Sequence, residues 1–440
     1  MRGAFLTIVL SYLLLLGLSY PFAALLTYVW IDIVRPQALA YSLINDMPIS
    51  MVAAVVSLLS YMIKGERQKE KIFTVVYLLI FFAAWITYTT VNADPGIESW
   101  LKWDWAFKVV IFSIFVPFVI RSQVQIEAFL LVIILSVTTI SFTAGVKAAL
   151  GGGGYGFLAV MGTGNSGLSE GSTLATICVM LLPILHYLYN HSIIFPDNKI
   201  FKALIFAIAI VNIFAIIGTF ARTGLIASAF LLLLYFFRSK HKWAMALVLV
   251  IAFAGIQQMD LGGTAWGERM LSIGTYQQDS SASGRIVVWK WTVNYAIEHP
   301  LGGGFDSFKL NKISGGSDAG VVYFEGPVLR GKAFHNIVFE VLGEQGFVGL
   351  IVYLTILAMT FLNLRKIRRD ARGKPDLVWS YDLATRLRDA LAVVLVGGMF
   401  IGIAYQCYIF YLVVIVVSFE RLIYNESKKF NLNISHAKKY

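Results

Sequence analysis

The sequence predicts an all-α protein that crosses a membrane many times, and its composition and its apolar blocks are the observations that predict this class. Of the 440 residues, 58% are hydrophobic and only 14% are charged, and the mean hydropathy is +0.73. The apolar residues form long blocks rather than one helical face, which is typical of helices surrounded by lipid. So few charges would not cover a soluble protein of this length.

The apolar blocks predict about twelve transmembrane helices. A bilayer core of about 30 Å needs about 20 apolar residues per helix. The stretch 4–34 is either one long kinked crossing or two short halves that break at Tyr20–Pro21. The clear blocks after it run near residues 48–63, 72–91, 105–120, 126–149, 169–189, 203–218, 224–237, 243–258, 346–363, 389–404 and 407–423.

Basic segments indicate the orientation of the chain. They fall on one side of the membrane if the stretch 4–34 makes one net crossing, and the positive-inside rule makes that side the cytoplasm. The net charge of +11 therefore indicates membrane topology rather than a nucleic-acid partner. The basic segments are Lys64–Lys71, Arg238–Lys242, Arg365–Arg388 and the C-terminal tail.

This topology divides the chain into four parts. Residues 1–258 form a first set of transmembrane helices, and residues 346–424 form the last crossings. Residues 259–345 form one large loop on the outer side, and residues 425–440 form a basic cytoplasmic tail. The large loop is the part in which we expect most of the chemistry.

The large loop is predicted to be partly helical. A serine start signal and an apolar stripe predict a helix over residues 283–297, and His299–Pro300 with the glycines that follow would end it. A second helix is predicted to begin near Gly331 and to continue through Leu342. The loop is therefore a small folded unit rather than a linker.

Two arginines are candidates for binding an anion. Arg222 lies between two apolar blocks on the outer side, where it is either a phosphate ligand or a cation at a helix end whose head reaches water. Arg285 falls in the first turn of the predicted loop helix, where free N–H groups attract an anion but a cation opposes the helix dipole. The alternative for Arg285 is an exposed ion pair with Asp279.

His335 is the candidate general base, because it begins an apolar helix within the polar loop and histidine accepts protons near neutral pH. A structural histidine is the alternative. Glu340 and Glu344 follow on the same helix and would orient His335 or pair with Arg330 or Lys332. Lys147, which ends an apolar block, would meet an anion or extend its charged head into water.

No metal site or cofactor is predicted. The six histidines form no cluster with metal-ligand spacing, and Cys178 and Cys407 have no CxxC neighbour. The glycines 151–154 lack the P-loop pattern. Two arginines and a histidine at the outer membrane surface would suit a lipid-linked diphosphate, which brings its own activated leaving group where ATP is absent.

Three motifs resemble the Wzy-C superfamily of O-antigen ligases, O-antigen polymerases and O-linking oligosaccharyltransferases. They occur in the order typical of that superfamily and beside a long outer loop. The motifs are Phe220-Ala-Arg-Thr-Gly224, then Ser283-Gly-Arg285 with Trp289 and His299-Pro-Leu-Gly302, and then His335-Asn336 with Glu340, Glu344, Gly346 and Gly349.

The N-terminal part resembles the exosortase-associated O-glycosylation ligases. The matching residues are Trp30, Arg35-Pro36, Asp46-Met-Pro48 and Gly145-Val-Lys147. Together with the later motifs, the resemblance covers most of the chain. Two departures are Phe220-Ala221, where many relatives have a small hydroxyl residue before the arginine, and Ser169-Glu-Gly-Ser172, which assigns no role to Glu170.

The resemblance implies a glycosyltransferase of GT-C-like architecture in the inner membrane of a Gram-negative bacterium. Glycan would move from undecaprenyl diphosphate to a hydroxyl of the lipid A core at the periplasmic face, by an inverting and metal-independent reaction. In the family's pattern, His335 would be the catalytic base, and Arg222 and Arg285 would bind the diphosphate.

Other functions stay open at this level. A protein O-oligosaccharyltransferase and an O-antigen polymerase would share the donor and differ in the acceptor. A lipid-linked oligosaccharide flippase belongs to another class and would need charges that line a route between crossings. The expected partners are the lipid-linked donor, the acceptor and membrane lipids, without nucleic acid.

Overall fold

The computed structural model describes residues 2–39, 47–65, 73–94, 96–150, 167–243, 280–311 and 331–437. Regular structure in these ranges is helical, without strands, so the predicted all-α class is confirmed there. The helices are α1 (Arg2–Ser19), α2 (Pro21–Val34), α3 (Ile49–Lys64), α4 (Thr74–Val91), α5 (Ile97–Val119), α6 (Gln123–Ala149), α7 (Gly171–His191), α8 (Lys199–Gly218), α9 (Arg222–Arg238), α10 (Ser280–Glu298), α11 (Ile337–Ala371), α12 (Val378–Gly398) and α13 (Cys407–Ala437).

Six of the described helices are long and apolar enough to cross a membrane: α4, α6, α7, α8, α11 and α13. The helices α1, α2 and α3 are apolar but shorter. The chain is therefore a polytopic membrane protein by length and composition. The predicted crossing at 243–258 lies, apart from Trp243, outside the described residues, and the total of twelve crossings stays a prediction.

The stretch 4–34 forms two helices that meet at a sharp bend. Tyr20 is extended (φ −132°, ψ 104°), and Pro21 begins α2, where the missing N–H costs nothing. A Cβ added to Gly17 would lie 3.0 Å from the Cβ of Ala24, so the chain folds back closely there. One face of α1 is exposed at helical spacing, as expected for contact with lipid, through Phe5, Ile8, Tyr12 and Leu15.

The central helices are α7 and α13. In each of these helices, 78% of the most apolar stretch is buried inside the protein. In α8 the buried share is only 33%, so α8 lies at the periphery. Aromatic rings join α4, α11 and α13 in the core, where Phe82 lies 5.9 Å from Tyr353 and 6.4 Å from Phe410. This packing joins the long second part of α11 to α4 and α13.

α11 is interrupted at Gly346, whose backbone (φ 66°, ψ −168°) is not helical. The turn after α10 fills the break, because the Phe347 N–H donates to the Pro300 carbonyl at 3.0 Å and the Gly303 N–H donates to the Gly343 carbonyl at 3.1 Å. The short first part of α11 is thereby held apart from the long second part.

The start of α11 differs from the prediction. The helix begins at Ile337 rather than near Gly331, and Asn336 caps it by accepting from the Val338 N–H at 2.8 Å. The physical reason is His335, whose φ of 47° interrupts a right-handed helix. Residues 331–335 are therefore a bend that leads into the helix.

The helix of the large loop is observed as α10. It begins at Ser280 rather than Ser283, since a single internal glycine such as Gly284 costs a helix only about 1 kcal/mol. Arg285 therefore lies in the second turn of the helix, whereas the sequence predicts the first turn. The predicted partner Asp279 lies outside the described residues.

Candidate functional site

His335 lies in the bend directly before the cap of α11, and contacts from α10 and from the end of α12 hold the residues beside it. The Trp289 indole N–H donates to the carbonyl of Phe334 at 2.9 Å, and the indole stacks on Phe339 at 5.1 Å between ring centroids. The Asn336 amide donates to the carbonyl of Met399 at 3.0 Å. The left-handed backbone of His335 is strained, and these neighbouring contacts keep it in place.

Charged neighbours surround the imidazole of His335. Although the residue reaches the surface, the surrounding protein partly desolvates the ring, and this desolvation with the positive charge of Arg285 lowers the pKa of His335. The negative charges of Glu170 and Glu340 act in the opposite direction. The net lowering keeps the ring neutral at pH 7, which is the form that accepts a proton.

Glu170 is a site residue to which the sequence assigned no role. It is the N-cap of α7, and its carboxylate accepts from the Ser172 N–H at 3.0 Å and from the Thr173 N–H at 2.7 Å. An acidic residue directly before an apolar block is a capping signal, so the cap was predictable. The electrostatic effect of Glu170 on His335 was not predictable, because 165 positions separate the two residues in the chain.

Arg222 is the first residue of α9, and its turn lies against the start of α7. A Cβ added to Gly171 would lie 3.6 Å from the Cβ of Thr219, and one added to Gly224 would lie 2.5 Å from the Cβ of Ala175. Phe220 has a φ of 52°, so the turn has a strained backbone just before Arg222. The Arg222 turn thus packs against the beginning of α7, whose N-cap Glu170 also acts electrostatically on His335.

Glu340 and Glu344 contact a lysine that the sequence reasoning missed. Lys102 of α5 pairs with Glu340 at 2.8 Å and with Glu344 at 2.7 Å, and Glu344 is fully buried. The Ala404 N–H donates to Glu340 and the Asp306 N–H donates to Glu344, each at 3.0 Å. These groups form a buried ion cluster beneath the bend that carries His335.

The predicted pairing of these glutamates with Lys332 is therefore wrong, because the carboxylates point inward toward α5. Lys332 instead lies beside Gly284 of α10, and the other suggested partner, Arg330, lies outside the described residues. The available signal was Lys102 itself. A charged residue beside an apolar block usually needs a partner.

Lys147 is exposed in the last turn of α6, where a cation complements the helix dipole. A role in binding an anion stays a prediction.

Comparison with known families adds to this geometry. Residues 205–354 match the O-antigen ligase family. The match supports a ligase- or polymerase-type function in this superfamily, whose members are membrane glycosyltransferase-like ligases. It includes Arg222, Arg285 and His335, which are the three residues predicted from the motifs.

The N-terminal half matches a different family. Residues 1–193 match a family of unknown function. This segment contributes Lys102 and Glu170 to the surroundings of His335, so the O-antigen ligase segment does not build the site alone. No curated protein and no solved structure matches the chain.

Proposed function

We propose that the protein is an O-antigen ligase that transfers a glycan from undecaprenyl diphosphate to a hydroxyl of the lipid A core. The family match supports the ligase-type chemistry. The observation that carries the proposal is the position of His335 at the capped start of α11, where the charges of Arg285 and of Glu170, the N-cap of α7, both act on its imidazole. Arg222 begins the helix that packs against the start of α7.

In the proposed reaction, neutral His335 accepts the proton of the acceptor hydroxyl. The acceptor oxygen then forms a bond to the anomeric carbon as the bond from that carbon to the diphosphate oxygen breaks, with inversion. Arg222 and Arg285 bind the diphosphate and stabilise the negative charge that develops on it as it leaves. Because the arginines supply this positive charge, the proposed reaction is metal-independent.

The proposed location of the reaction is the periplasmic face of the inner membrane. The part of α11 after Gly346 is about 37 Å long at 1.5 Å per residue, which is enough to cross a bilayer core. It ends among basic residues such as Arg368 and Arg369. The positive-inside rule places that end in the cytoplasm and His335 on the opposite side.

A complementation experiment tests the proposal. His335→Ala should abolish capping of the lipid A core in a ligase-deficient Gram-negative strain, because no other group would take the hydroxyl proton. Lipopolysaccharide is separated on a gel, and the protein level in the membrane is measured by blotting. The matched control is His241→Gln, an exposed histidine next to the basic end of α9, which should cap like the unchanged protein. Full capping by His335→Ala would exclude the base assignment.

Protein O-glycosylation is the second candidate function, because the N-terminal motifs resemble the exosortase-associated ligases. The donor and the roles of His335 and the arginines would be the same, and only the acceptor would differ. The same strain distinguishes the two functions. Capped lipid A core supports the ligase, whereas a glycosylated protein without capped core supports the protein acceptor.

A further inference from the structure

A polar cavity lies at the same end of the helix bundle as His335. Its volume is about 250 Å³, and it is bounded by the end of α2, the start of α3, the first turns of α5 and the start of α13. The buried floor includes Tyr28 and Cys407, and the exposed rim includes Met47, Met51 and Lys108. Apart from residues 406 and 407, it is built from the segment that matches the family of unknown function.

One buried acceptor in the wall indicates a ligand. Gln37 is only 5% exposed, and its Oε1 has no hydrogen-bond partner in the part of the chain that the structure describes. A buried amide oxygen without a donor is unfavourable, so a turn of this side chain toward a donor on a molecule in the cavity would be favourable. A hydroxyl or an N–H on a ligand would satisfy it.

The remaining wall narrows the class of ligand. The two acids Asp32 and Asp104 balance Arg35 and Lys108, and Lys108 pairs with Asp104, so the wall favours neither a phosphate nor a cation. The polar wall also does not suit an acyl chain. Carboxylates, amides and cations together offer both donors and acceptors, which fits a molecule with many hydroxyls. Trp105 adds an aromatic ring that can pack on an apolar face of such a molecule.

A loop connects this cavity to the surroundings of His335. Gln406 lines the cavity, and its amide would lie 3.1 Å from a Cβ added to Gly167, in the turn that leads to Glu170. Gln406 ends a loop that begins at Met399. In this loop the Ala404 N–H donates to Glu340, and the Met399 carbonyl accepts from the Asn336 amide. The cavity and His335 are therefore on either side of one short loop.

We propose that this cavity binds one sugar unit of a glycan whose neighbouring unit reacts at His335, a proposal that rests on the proposed function. The volume of about 250 Å³ lies just below the usual range for small-molecule sites, about 300–1,000 Å³, and so suits one sugar ring rather than a long chain. The sugar belongs either to the acceptor or to the donor glycan. Both sources have the same chemistry and are separated by the experiment.

The first measurement is saturation-transfer NMR on the full chain in nanodiscs, with glucose, galactose, N-acetylglucosamine, rhamnose and glucuronate as probes. At least one sugar should bind, and Gln37→Leu should weaken that binding about three- to tenfold, the equivalent of one neutral hydrogen bond. Lys108→Met, at the exposed rim, should also weaken it without disturbing the fold. Asn92→Leu, an exposed side chain in the α4–α5 turn, is the matched control and should bind like the unchanged protein.

The second measurement separates the sources. In a transfer assay, Gln37→Leu should raise the KM for the acceptor if the cavity holds an acceptor sugar, and the KM for the donor if it holds a donor sugar. The proposal is overturned if no probe shows binding that depends on Gln37 and Lys108 and neither KM changes. Sugar binding by a protein without transfer activity would instead contradict the proposed function and leave only the sugar-binding part of this proposal intact.

Discussion

Neighbouring charges shift the pKa of His335 in opposite directions. Burial and Arg285 lower its pKa, while Glu170 and Glu340 raise it. A general base is useful only when it is neutral at the working pH, and an arginine beside the ring favours the neutral form. Arg285 therefore has two proposed effects: it binds the diphosphate, and it keeps the base unprotonated.

The pH dependence of transfer should reveal these effects. The rate should fall as the pH drops through the pKa of His335, which lies below its ordinary value of 6.5. Arg285→Gln removes a cation, so the pKa should rise and the acidic limb should move to higher pH. Glu170→Gln removes an anion, so the limb should move to lower pH. The measurement is kcat/KM against pH for the three proteins.

Shifts in the same direction for both variants would contradict this electrostatic account. The KM for the donor serves as an internal control. Arg285→Gln should raise it by removing a diphosphate ligand, whereas Glu170→Gln should not, because Glu170 is an anion.

At the scale of a single helix, the break in α11 separates the part next to His335 from the part that crosses the membrane. Gly346 allows the break for two reasons. Its φ of 66° is unfavourable for other residues, and a Cβ there would lie 2.3 Å from the carbonyl oxygen of Pro300. Gly373, in the turn after α11, has a similar φ of 76° but no atom within 4 Å of an added Cβ.

These two glycines allow a matched comparison. Gly373→Ala should cost only the left-handed backbone, about 1–2 kcal/mol. Gly346→Ala should cost clearly more, because its ψ of −168° at positive φ suits essentially only glycine and because the Pro300 turn must also move. The melting temperature of the detergent-solubilised protein measures both. Equal losses in the two variants would show that the Pro300 turn adapts freely and does not hold the break.

Lys102 joins α5 to α11 through two buried carboxylates. Lys102→Met should destabilise the protein by about 3–5 kcal/mol, because it leaves buried negative charge without a partner. Adding Glu344→Gln to this variant should restore part of the stability by removing one of the charges. Thermal unfolding in detergent measures the effect, and no recovery in the double variant would contradict a primarily electrostatic role. Lys108→Met is the control, since Lys108 pairs with Asp104 at the surface.

At the scale of the whole molecule, the proposed topology has a direct test. Alkaline phosphatase is active outside the cytoplasm, so a fusion after Asn311 in the large loop should be active and one after Gly373 inactive. Fusions of green fluorescent protein at the same two positions should give the opposite pattern. The same activity at both positions would contradict the positive-inside assignment, because the long second part of α11 separates them.

The sequence predicted the helices better than the contacts between them. Long apolar blocks located most helices within a few residues, since lipid requires continuous apolar surface. The start of α11 was misplaced because the left-handed backbone of His335 has no sequence signal. Lys102 was missed because its partners, Glu340 and Glu344, lie more than 200 positions away in the chain. Such pairing depends on how helices pack and not on local pattern.

The ion cluster also joins the two family segments, because Lys102 lies in residues 1–193 and Glu340 and Glu344 lie in residues 205–354. The two segments are therefore not interchangeable parts. A chimera that takes its first half from another protein would need a cation at the position of Lys102, or it would bury two acids without their partner. Recombination between members of these families should then succeed only when the lysine and the two acids are inherited together.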